Sequence, residues 1–477
     1  MKQFPLIPDV LAARYASSTL RECWSAENKV LMERDFWLAV MRAQKELGLD
    51  IPDEAIDAYA KVRDEVNMER IAERERKLRH DVKARIEEYC DLAGHQQIHK
   101  GLTSRDLTDN VEQLQILHSL RLIRLKSIAG LKRLAGQATK TREDILTART
   151  HNVPAQLTTV GKRLSMFGEE ILFALERLDR FIEIYPLRGL QGAVGTNLDQ
   201  TVLFHGDLRK VQLLDERIAG HLGASRVMNA VGQIYPRSLD LQTVQVLISL
   251  SSGISSFAKT LRLMAGAGLA HEGFGKNQVG SSAMPHKRNA RTCERICGFH
   301  QVLRGFESML SGLVGDQWNE GDVSCSVVRR VALPGAFFAC DGQLESWLNV
   351  LEEMEFDKKA LADEVERNLP FVSSTVLLME GVRKGGGRED VHEAVRRHML
   401  YLNENSADDT QPARKLAKNL GTDDDYPLGK PEIEKLLNHP ENWLGNAKEQ
   451  VDAFTESVGA WIQHFPEASS IKREPLL

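Results

Sequence analysis

Residues 164–182 read LSMFGEEILFALERLDRFI, and this stretch decides the fold. Its apolar side chains recur at steps of three and four residues, at Leu164, Phe167, Ile171, Leu175, Leu178 and Ile182. An α-helix makes one turn in about 3.6 residues, so these side chains lie on a single helical face. The stretch therefore predicts a long amphipathic helix with one buried stripe.

The same periodicity is found along most of the chain. It recurs from residue 244 to residue 264, while alternating strand patterns bounded by turn residues are scarce. Long helices of this kind bury their apolar stripes by packing side by side. Residues 241–269 are rich in serine, alanine and glycine, which favours a helix surrounded by other helices; a weakly amphipathic surface helix is the alternative. The pattern predicts an all-α fold.

The spacing of the helical pattern divides the chain into three zones. Short helices and clusters of charge fill residues 1–104, which we predict to be an N-terminal helical domain. The longest helices lie in residues 105–355, the predicted central long-helix bundle domain. Shorter patterns return in residues 356–477, the predicted C-terminal helical domain, which contains three consecutive glycines at 385–387.

Charge and cysteine content exclude several classes of protein. The 477 residues include 62 basic and 67 acidic side chains, a net charge of −5, which supports neither a nucleic-acid partner nor a membrane partner. The six cysteines form no C-x-x-C pair, so we expect reduced thiols rather than disulfides or a zinc site. The N-terminus lacks the apolar core of a signal peptide, and the most apolar stretch, 247–269, contains charges. We expect a cytoplasmic protein.

Three polar segments interrupt the helical pattern, and polar loops between rigid helices often carry function. They read HKGLTSRDLTDN (99–110), ARTHNVPAQLTTVGKR (148–163) and GFGKNQVGSSAMPHKRNA (273–290). In the third, glycines and backbone N–H groups beside Lys287, Arg288 and Asn289 suit a loop that closes over an anion and presents a hydroxyl group. A flexible linker with incidental charge is the alternative.

The other two segments allow two interpretations each. His151 stands shortly before Pro154, which predicts a position at or before a helix start. Its imidazole, with an ordinary pKa of about 6.5, suits a general acid or base, whereas a capping or surface histidine is the alternative. Thr103, Ser104 and Asp106 read as a helix cap whose free N–H groups would also bind a carboxylate. The residues alone do not name a reaction.

A longer motif resembles the fumarase/aspartase superfamily. Residues 280–289, GSSAMPHKRN, fit every fixed position of its signature G-S-S-x-M-P-x-K-x-N. Within that superfamily the chain is most similar to the adenylosuccinate lyase family. The residues that carry this second likeness are Arg14-Tyr15, Arg79-His80-Asp81, Thr150-His151, the AQLTTVGKR run at 155–163 with its helix, and the Gly-Gly-Arg-x-Asp-x-His-Glu run at 386–393.

The resemblance implies a fold, a reaction and a set of site residues. The implied fold is a three-domain homotetramer with a central helical bundle and active sites shared by three subunits. The implied reaction is β-elimination of fumarate from adenylosuccinate and from succinylaminoimidazole carboxamide ribotide, without a metal or redox cofactor. Ser281 is the implied base and His151 the implied acid. The implied substrate-binding residues are Arg14, Tyr15, Arg79, His80, Asp81, Thr103, Ser104, Thr150, Gln233, Lys287, Asn289, Arg295, Ser326 and Arg330.

The chain departs from the family pattern at two positions. Gly321 stands where the family usually has an arginine that contacts substrate, and Ala290 stands where the signature is usually closed by proline. We expect Arg14, Arg295 or Arg330 to compensate for the missing arginine. Two alternatives remain: another superfamily enzyme, such as argininosuccinate lyase or a carboxymuconate-type cycloisomerase, and an inactive structural relative.

Overall fold

Helices make up most of the computed structural model, which describes residues 7–274, 283, 284, 286–404 and 412–474. The N-terminal helices are α1 (Val10–Arg14), α2 (Ser18–Cys23), α3 (Ala26–Glu46), α4 (Asp53–Lys61), α5 (Met68–Leu78) and α6 (Asp81–Ala93). The next helices are α7 (Ser104–Lys140), α8 (Val160–Ile184), α9 (Leu198–Leu203), α10 (Leu208–Leu222), α11 (Ser238–Gly266), α12 (Arg291–Ser311) and α13 (Cys325–Glu353). The remaining helices are α14 (Lys358–Val372), α15 (Ser374–Arg383), α16 (Arg388–Glu404), α17 (Pro412–Leu420), α18 (Lys430–Leu437) and α19 (Ala447–His464). Short 3₁₀ helices span Pro440–Trp443 and Pro466–Ser470.

The strands in the described part of the chain form three two-stranded sheets. Strands β1 (Ile145–Thr150) and β2 (Val153–Thr159) pair antiparallel as a hairpin. Strands β3 (Pro186–Leu187) and β4 (Arg226–Val227) pair in parallel. Strands β5 (Ala270–His271) and β6 (Glu355–Phe356) pair antiparallel. These small sheets connect helices, and the predicted all-α class is confirmed.

The decisive stretch lies inside α8, as its periodicity predicted. All six of its stripe residues are buried, and Leu175 and Leu178 have no exposed surface. Glu169 and Glu176 on the opposite face are exposed. Burying an apolar side chain of this size contributes about 1.5–3 kcal/mol, which explains why the stripe directs the packing of the helix.

Five long helices share one apolar core. Helices α7, α8, α11, α12 and α13 pack against one another around it, and α11 contacts α8, α12 and α13. One face of α11 is therefore covered by other helices, while Leu263 on the other face is exposed, so the prediction of a helix surrounded by helices stays a prediction for the assembled protein. Gly130 of α7 faces the Trp347 ring of α13, and an added Cβ there would lie 2.1 Å from that ring. Only glycine at this position leaves room for the Trp347 ring.

Two further large clusters of buried apolar side chains adjoin this core. One combines side chains of α3, α4 and α6 with Phe204 and with Val211, Leu214 and Ile218 of α10. The other is formed by α15 to α18. From the C-terminal zone, α19 packs on α7 and α8, and its Val451, Phe454 and Val458 enter the core of the bundle. The division into three domains at 104 and 355 stays a prediction.

The local structure around His151 differs from the prediction. Residues 153–159 form strand β2, and α8 begins only at Val160, so the predicted helix start near His151 is wrong. His151 and Asn152 form the two-residue turn of the hairpin, with φ of 52° and 64°. Two positive φ values match the twist of a hairpin, and Asn tolerates them well. The chain therefore forms a hairpin at this place, and its helix starts only after the second strand.

Other expectations concern the chemistry of the whole chain. The six cysteines are all free thiols, as predicted. No helix among the described residues is long and apolar enough to cross a bilayer. The same part of the chain holds no group of three or more His, Cys, Asp and Glu side chains suited to a metal ion.

Candidate active site

The start of α7 confirms the predicted helix cap. The backbone N–H of Thr103 donates to Asp106 Oδ2 at 2.7 Å, the reciprocal half of a capping box. Asp106 is fully buried, pairs with the buried Arg188 and accepts the Gly192 N–H at 3.0 Å. Thr103 and Ser104 themselves are half-buried at the helix N-terminus. An N-terminus anchored in this way suits the binding of a carboxylate.

The Arg79-His80-Asp81 run joins α5 to α6. Arg79 ends α5 in the left-handed conformation (φ 53°), and His80 caps α6 by accepting the Lys83 N–H at Nδ1, 3.2 Å away. Burial raises the pKa of the Asp81 carboxyl, but the charge of Arg85 and hydrogen bonds from the Val82 N–H and Arg85, with a smaller contribution from the charge of Arg330, leave that pKa below its ordinary value. Arg330 of α13 is therefore close enough to Asp81 of α6 for its charge to act on that carboxyl.

His99 is a neighbour of this run that the sequence analysis did not single out. Its Nδ1 accepts the Trp37 Nε1–H at 3.1 Å, and its φ is 63°. Burial, together with the charges of His80 and Lys83, lowers the pKa of His99 to about 4. The imidazole is therefore neutral at pH 7, and the Trp37 hydrogen bond assigns its proton to Nε2. The sequence pattern gave no sign that His99 would adopt a positive φ.

A second cluster forms around Tyr15, directly after α1. The Arg295 guanidinium of α12 lies 5.5 Å from the centre of the Tyr15 ring. The Tyr15 ring packs edge-on against Phe299 at 5.1 Å. Gly342 of α13 lets Tyr15 approach, because an added Cβ there would lie 2.9 Å from Tyr15 Cβ. The predicted residues Tyr15 and Arg295 thus meet, with the exposed Arg14 next in the chain.

Gln233 lies in the loop that leads to α11, and this loop rests on residues 318–321. The Gln233 N–H donates to the Glu320 carbonyl at 2.7 Å. Gly321 has φ 127°, and an added Cβ would lie 2.8 Å from Cγ1 of Ile234. The backbone at this position therefore requires glycine, which gives a physical reason for the departure from the usual arginine.

Ser326 and Arg330 lie on the first turns of α13, on either side of the buried Arg329. Arg329 donates from Nε to Asp240 at 2.8 Å and from Nη1 to Glu112 at 2.7 Å. Its Nη2 also donates to Tyr235 Oη at 2.5 Å. These bonds hold the start of α13 against α7 and α11. Arg329 was missed in the sequence, because its role depends on partners distant along the chain.

Thr150 and His151 lie at the tip of the β1–β2 hairpin. His151 is exposed, and among the described residues it makes no hydrogen bond, ion pair or ring contact with the other predicted site residues. The hairpin is held at Arg149, whose Nη2 pairs with Glu364 of α14 at 2.6 Å. One chain therefore presents His151 on its surface, while Tyr15, Arg295, Asp81 and Arg330 lie in two groups elsewhere.

The signature loop, residues 273–290, is partly described. Gly280, Ser281 and Pro285 lie outside the described residues, so the assignment of Ser281 as the base stays a prediction. The buried Glu272 accepts the N–H groups of Thr292 at 2.9 Å and Cys293 at 2.8 Å. This carboxylate caps α12 and ties the beginning of the loop to its end. Lys287 is exposed and Asn289 is half-buried.

Family models and known proteins match most of this chain. A family model described as "Lyase" matches residues 9–305, and one described as "Adenylosuccinate lyase C-terminus" matches residues 370–454. The adenylosuccinate lyase of Saccharomyces cerevisiae is 33% identical over 456 residues, covering 94% of this chain and 93% of that protein. The adenylosuccinate lyase of Schizosaccharomyces pombe is 32% identical over 460 residues, covering 93% of each. The chain belongs to the adenylosuccinate lyase family.

Solved structures show the fold of this member of the adenylosuccinate lyase family. The 3-carboxy-cis,cis-muconate lactonizing enzyme from Pseudomonas putida superposes with a TM-score of 0.81 at 19% identity, covering 95% of this chain and 99% of that one. A fumarate lyase from Mesorhizobium sp. BNC1 superposes with a TM-score of 0.78 at 21% identity, covering 95% and 100%. The predicted superfamily fold is confirmed, and the chain is a lyase by family.

Proposed function

We propose that this chain eliminates fumarate from adenylosuccinate, giving AMP, and from succinylaminoimidazole carboxamide ribotide, giving the corresponding carboxamide ribotide. The observation that carries the proposal is the approach of Arg295 to Tyr15, beside Arg14. A guanidinium group beside a phenol, with a second, exposed arginine next in the chain, suits a phosphate monoester. A phosphorylated nucleotide substrate distinguishes this reaction from eliminations on unphosphorylated succinyl compounds.

The elimination requires removal of a proton from the carbon beside a carboxylate. The resulting dianionic aci-carboxylate is very unfavourable in water, so it needs preorganised positive charge and hydrogen-bond donors. Lys287 and Asn289 are the proposed donors, and loss of one such donor typically costs about 3 kcal/mol of transition-state stabilisation. Glu272 joins the residues on either side of the loop, which supports a fixed position for Lys287 and Asn289 near the start of α12.

Two proton transfers complete the reaction. The Ser281 oxygen, as an alkoxide, takes the carbon-bound proton; the carbon–nitrogen bond then breaks, and its electron pair stays on nitrogen. His151 gives a proton to that nitrogen, and fumarate leaves with its new double bond. Each proton-transfer group typically contributes about 10²- to 10⁴-fold to the rate. No step in this sequence calls for an electron acceptor.

The exposed position of His151 supports an active site assembled from several subunits. We infer a homotetramer in which the hairpin of one chain reaches the Tyr15 and Asp81 groups of another. The long helices of the bundle also carry exposed apolar side chains, including Met166, Phe173, Leu263 and Val327, which an assembled bundle would cover. We also propose that the domains divide at residues 104 and 355. We propose a cytoplasmic location for the protein.

A direct absorbance assay with adenylosuccinate tests the proposal. We expect formation of AMP and fumarate by the natural chain. Ser281→Ala should nearly abolish turnover while substrate binding persists. Turnover of another succinyl or muconate substrate instead, or of none, would overturn the proposal. Near-natural turnover by the Ser281→Ala variant would refute the assigned base.

A further inference from the structure

The C-terminal residues 471–474, here called the tail segment, contact the chain directly after Arg14 and Tyr15. Both carboxylate oxygens of Glu474 accept a hydrogen bond from the Ser18 N–H, at 3.0 and 2.9 Å. It also accepts the Ser18 hydroxyl at 2.6 Å. Ser18 is the first residue of α2, so a carboxylate from the far end of the chain holds the start of that helix.

A buried charge cluster lies beneath this contact. Lys126 of α7 pairs with Asp341 and, at 2.6 Å, with Glu345, both on α13. Asp341 also accepts the Ser17 N–H at 2.6 Å. Glu345 accepts the Glu474 N–H at 2.7 Å. Each of these three charged side chains is at most 5% exposed. The cluster is therefore hydrogen-bonded both to the residue before α2 and to the tail segment.

The tail segment is held at a second place. Arg473 pairs with Glu352 at 2.8 Å and with Glu353 at 2.9 Å, at the end of α13. The Ile471 carbonyl accepts from Arg133 Nη2 of α7 at 2.9 Å. Glu474 therefore belongs to a segment that is anchored to the bundle. Its carboxylate can fix the position of Ser18, because its own position does not depend on Ser18.

Both carboxylates act within three residues of the proposed phosphate-binding pair. Asp341 accepts the N–H of Ser17, which is two residues after Tyr15. Glu474 accepts the N–H of the next residue, Ser18. Asp341 also adjoins Gly342, the position that admits the Tyr15 side chain against α13. A shift at Ser17 or Ser18 would therefore move Tyr15 relative to Arg295. Displacements of about 1 Å at a binding group are enough to weaken substrate positioning strongly.

We propose that Glu474 and Asp341 are positioning residues that hold Arg14 and Tyr15 in place for the substrate phosphate. This inference rests on the proposed function, and it assigns the tail segment a role in nucleotide affinity. The carboxylates touch no substrate atom; they act through Ser17 and Ser18. Fumarate, which lacks the phosphate, should bind independently of them.

The variant Glu474→Gln tests the inference, because Glu474 lies near the surface and its replacement leaves the buried cluster intact. We expect KM for adenylosuccinate and the inhibition constant of AMP to rise about tenfold, with kcat changed less than about twofold. The inhibition constant of fumarate should stay unchanged. Ser18→Ala, which removes only the hydroxyl bond, should give a smaller effect of the same kind. Glu467→Gln, an exposed neighbour in the 3₁₀ helix before the tail segment, is the matched control and should behave like the natural chain.

The outcomes separate the inference from the proposed function. If the natural chain does not turn over adenylosuccinate, the proposed function fails. If the natural chain is active but Glu474→Gln keeps its AMP affinity, the positioning role is refuted. An equal weakening of AMP and fumarate, or a lower melting temperature with unchanged AMP affinity, would show that the tail segment only stabilises the fold and would also refute the inference.

Discussion

Arg329 and Asp240 form a buried ion pair, with Nε of Arg329 2.8 Å from Oδ2 of Asp240. Asp240 has no exposed surface, and Arg329 is 2% exposed. The same guanidinium also binds Glu112 and Tyr235, so three elements of the chain converge on one planar donor. Ser326 and Arg330 flank Arg329 in the sequence, and the pair therefore sets where two predicted substrate contacts stand.

We predict that Arg329 and its neighbour Arg330 have opposite roles. Removing one partner of a buried ion pair typically costs about 3–5 kcal/mol, so Arg329→Met should lower the melting temperature strongly. Arg329→Lys should also destabilise, because an ammonium group does not reproduce the guanidinium fork. Arg330→Met, at an exposed site, should leave stability nearly unchanged and raise KM. Thermal unfolding and steady-state kinetics of the three variants check this. An Arg330→Met variant as unstable as Arg329→Met would contradict the assignment.

Gly321 gives a prediction about the missing arginine. Restoring it by Gly321→Arg should destabilise the chain without improving phosphate affinity, because φ is 127° and Ile234 occupies the space beside the Cα. Residues in such conformations cost about 1–3 kcal/mol each. Gly321→Ala should show most of this cost. The control is Gly220→Ala, in helix α10 with nothing within 4 Å of the added Cβ, which should be neutral or stabilising. Tighter AMP binding by a stable Gly321→Arg variant would show that the backbone accommodates the side chain.

His99 predicts a dependence of stability on pH. Burial lowers the pKa of the folded-state imidazole from 6.5 to about 4. As pH falls through 6.5, His99 becomes protonated in the unfolded chain, whereas in the folded chain it stays neutral until about pH 4. The natural chain should therefore lose stability across this window. His99→Gln lacks the titrating group and should lose less over the same range. Melting temperatures of both proteins between pH 7 and pH 4 measure the effect, and parallel curves would show that His99 does not titrate as described.

Glu272 predicts a link between helix capping and loop function. Its carboxylate satisfies two backbone N–H groups of α12, and loss of such a cap typically costs about 1 kcal/mol. Glu272→Ala should lower the melting temperature and reduce kcat, since the signature loop would lose the anchor that joins its ends. Glu294→Gln, an exposed acidic residue in the first turn of the same helix, is the control and should change stability little. Unchanged kcat in Glu272→Ala would separate the cap from catalysis.

The elements that the sequence predicted well are those with local causes. The stripe of α8 follows from side chains three or four residues apart, and the cap of α7 joins Thr103 to Asp106 only three residues later. The hairpin at 145–159 was missed because its strands pair across a turn that needs two positive φ values, and His151 gives little sign of this. Periodicity does not register a backbone pairing of that kind.

The candidate site shows the same contrast between features with local causes and features set by residues distant along the chain. Motif residues such as Tyr15, Arg295 and Arg330 were predicted from the resemblance to a known family, and their contact with substrate stays a prediction. Arg329, Glu272 and His99 were not found, since their partners lie 89, 20 and 62 residues away. The role of Glu474, whose partner Ser18 is 456 residues distant, depends wholly on the fold.

The amino-acid sequence alone determined the helical class, the long central helices and the chemical identity of the loop residues. These properties arise from periodicity, helix propensity and side-chain type, which act over one or two turns. Tertiary structure decided which charges are buried in pairs, which carboxylate caps which helix, and which histidine is neutral. Coulomb energy and hydrogen bonding depend on distance and burial, and only the packed chain sets both.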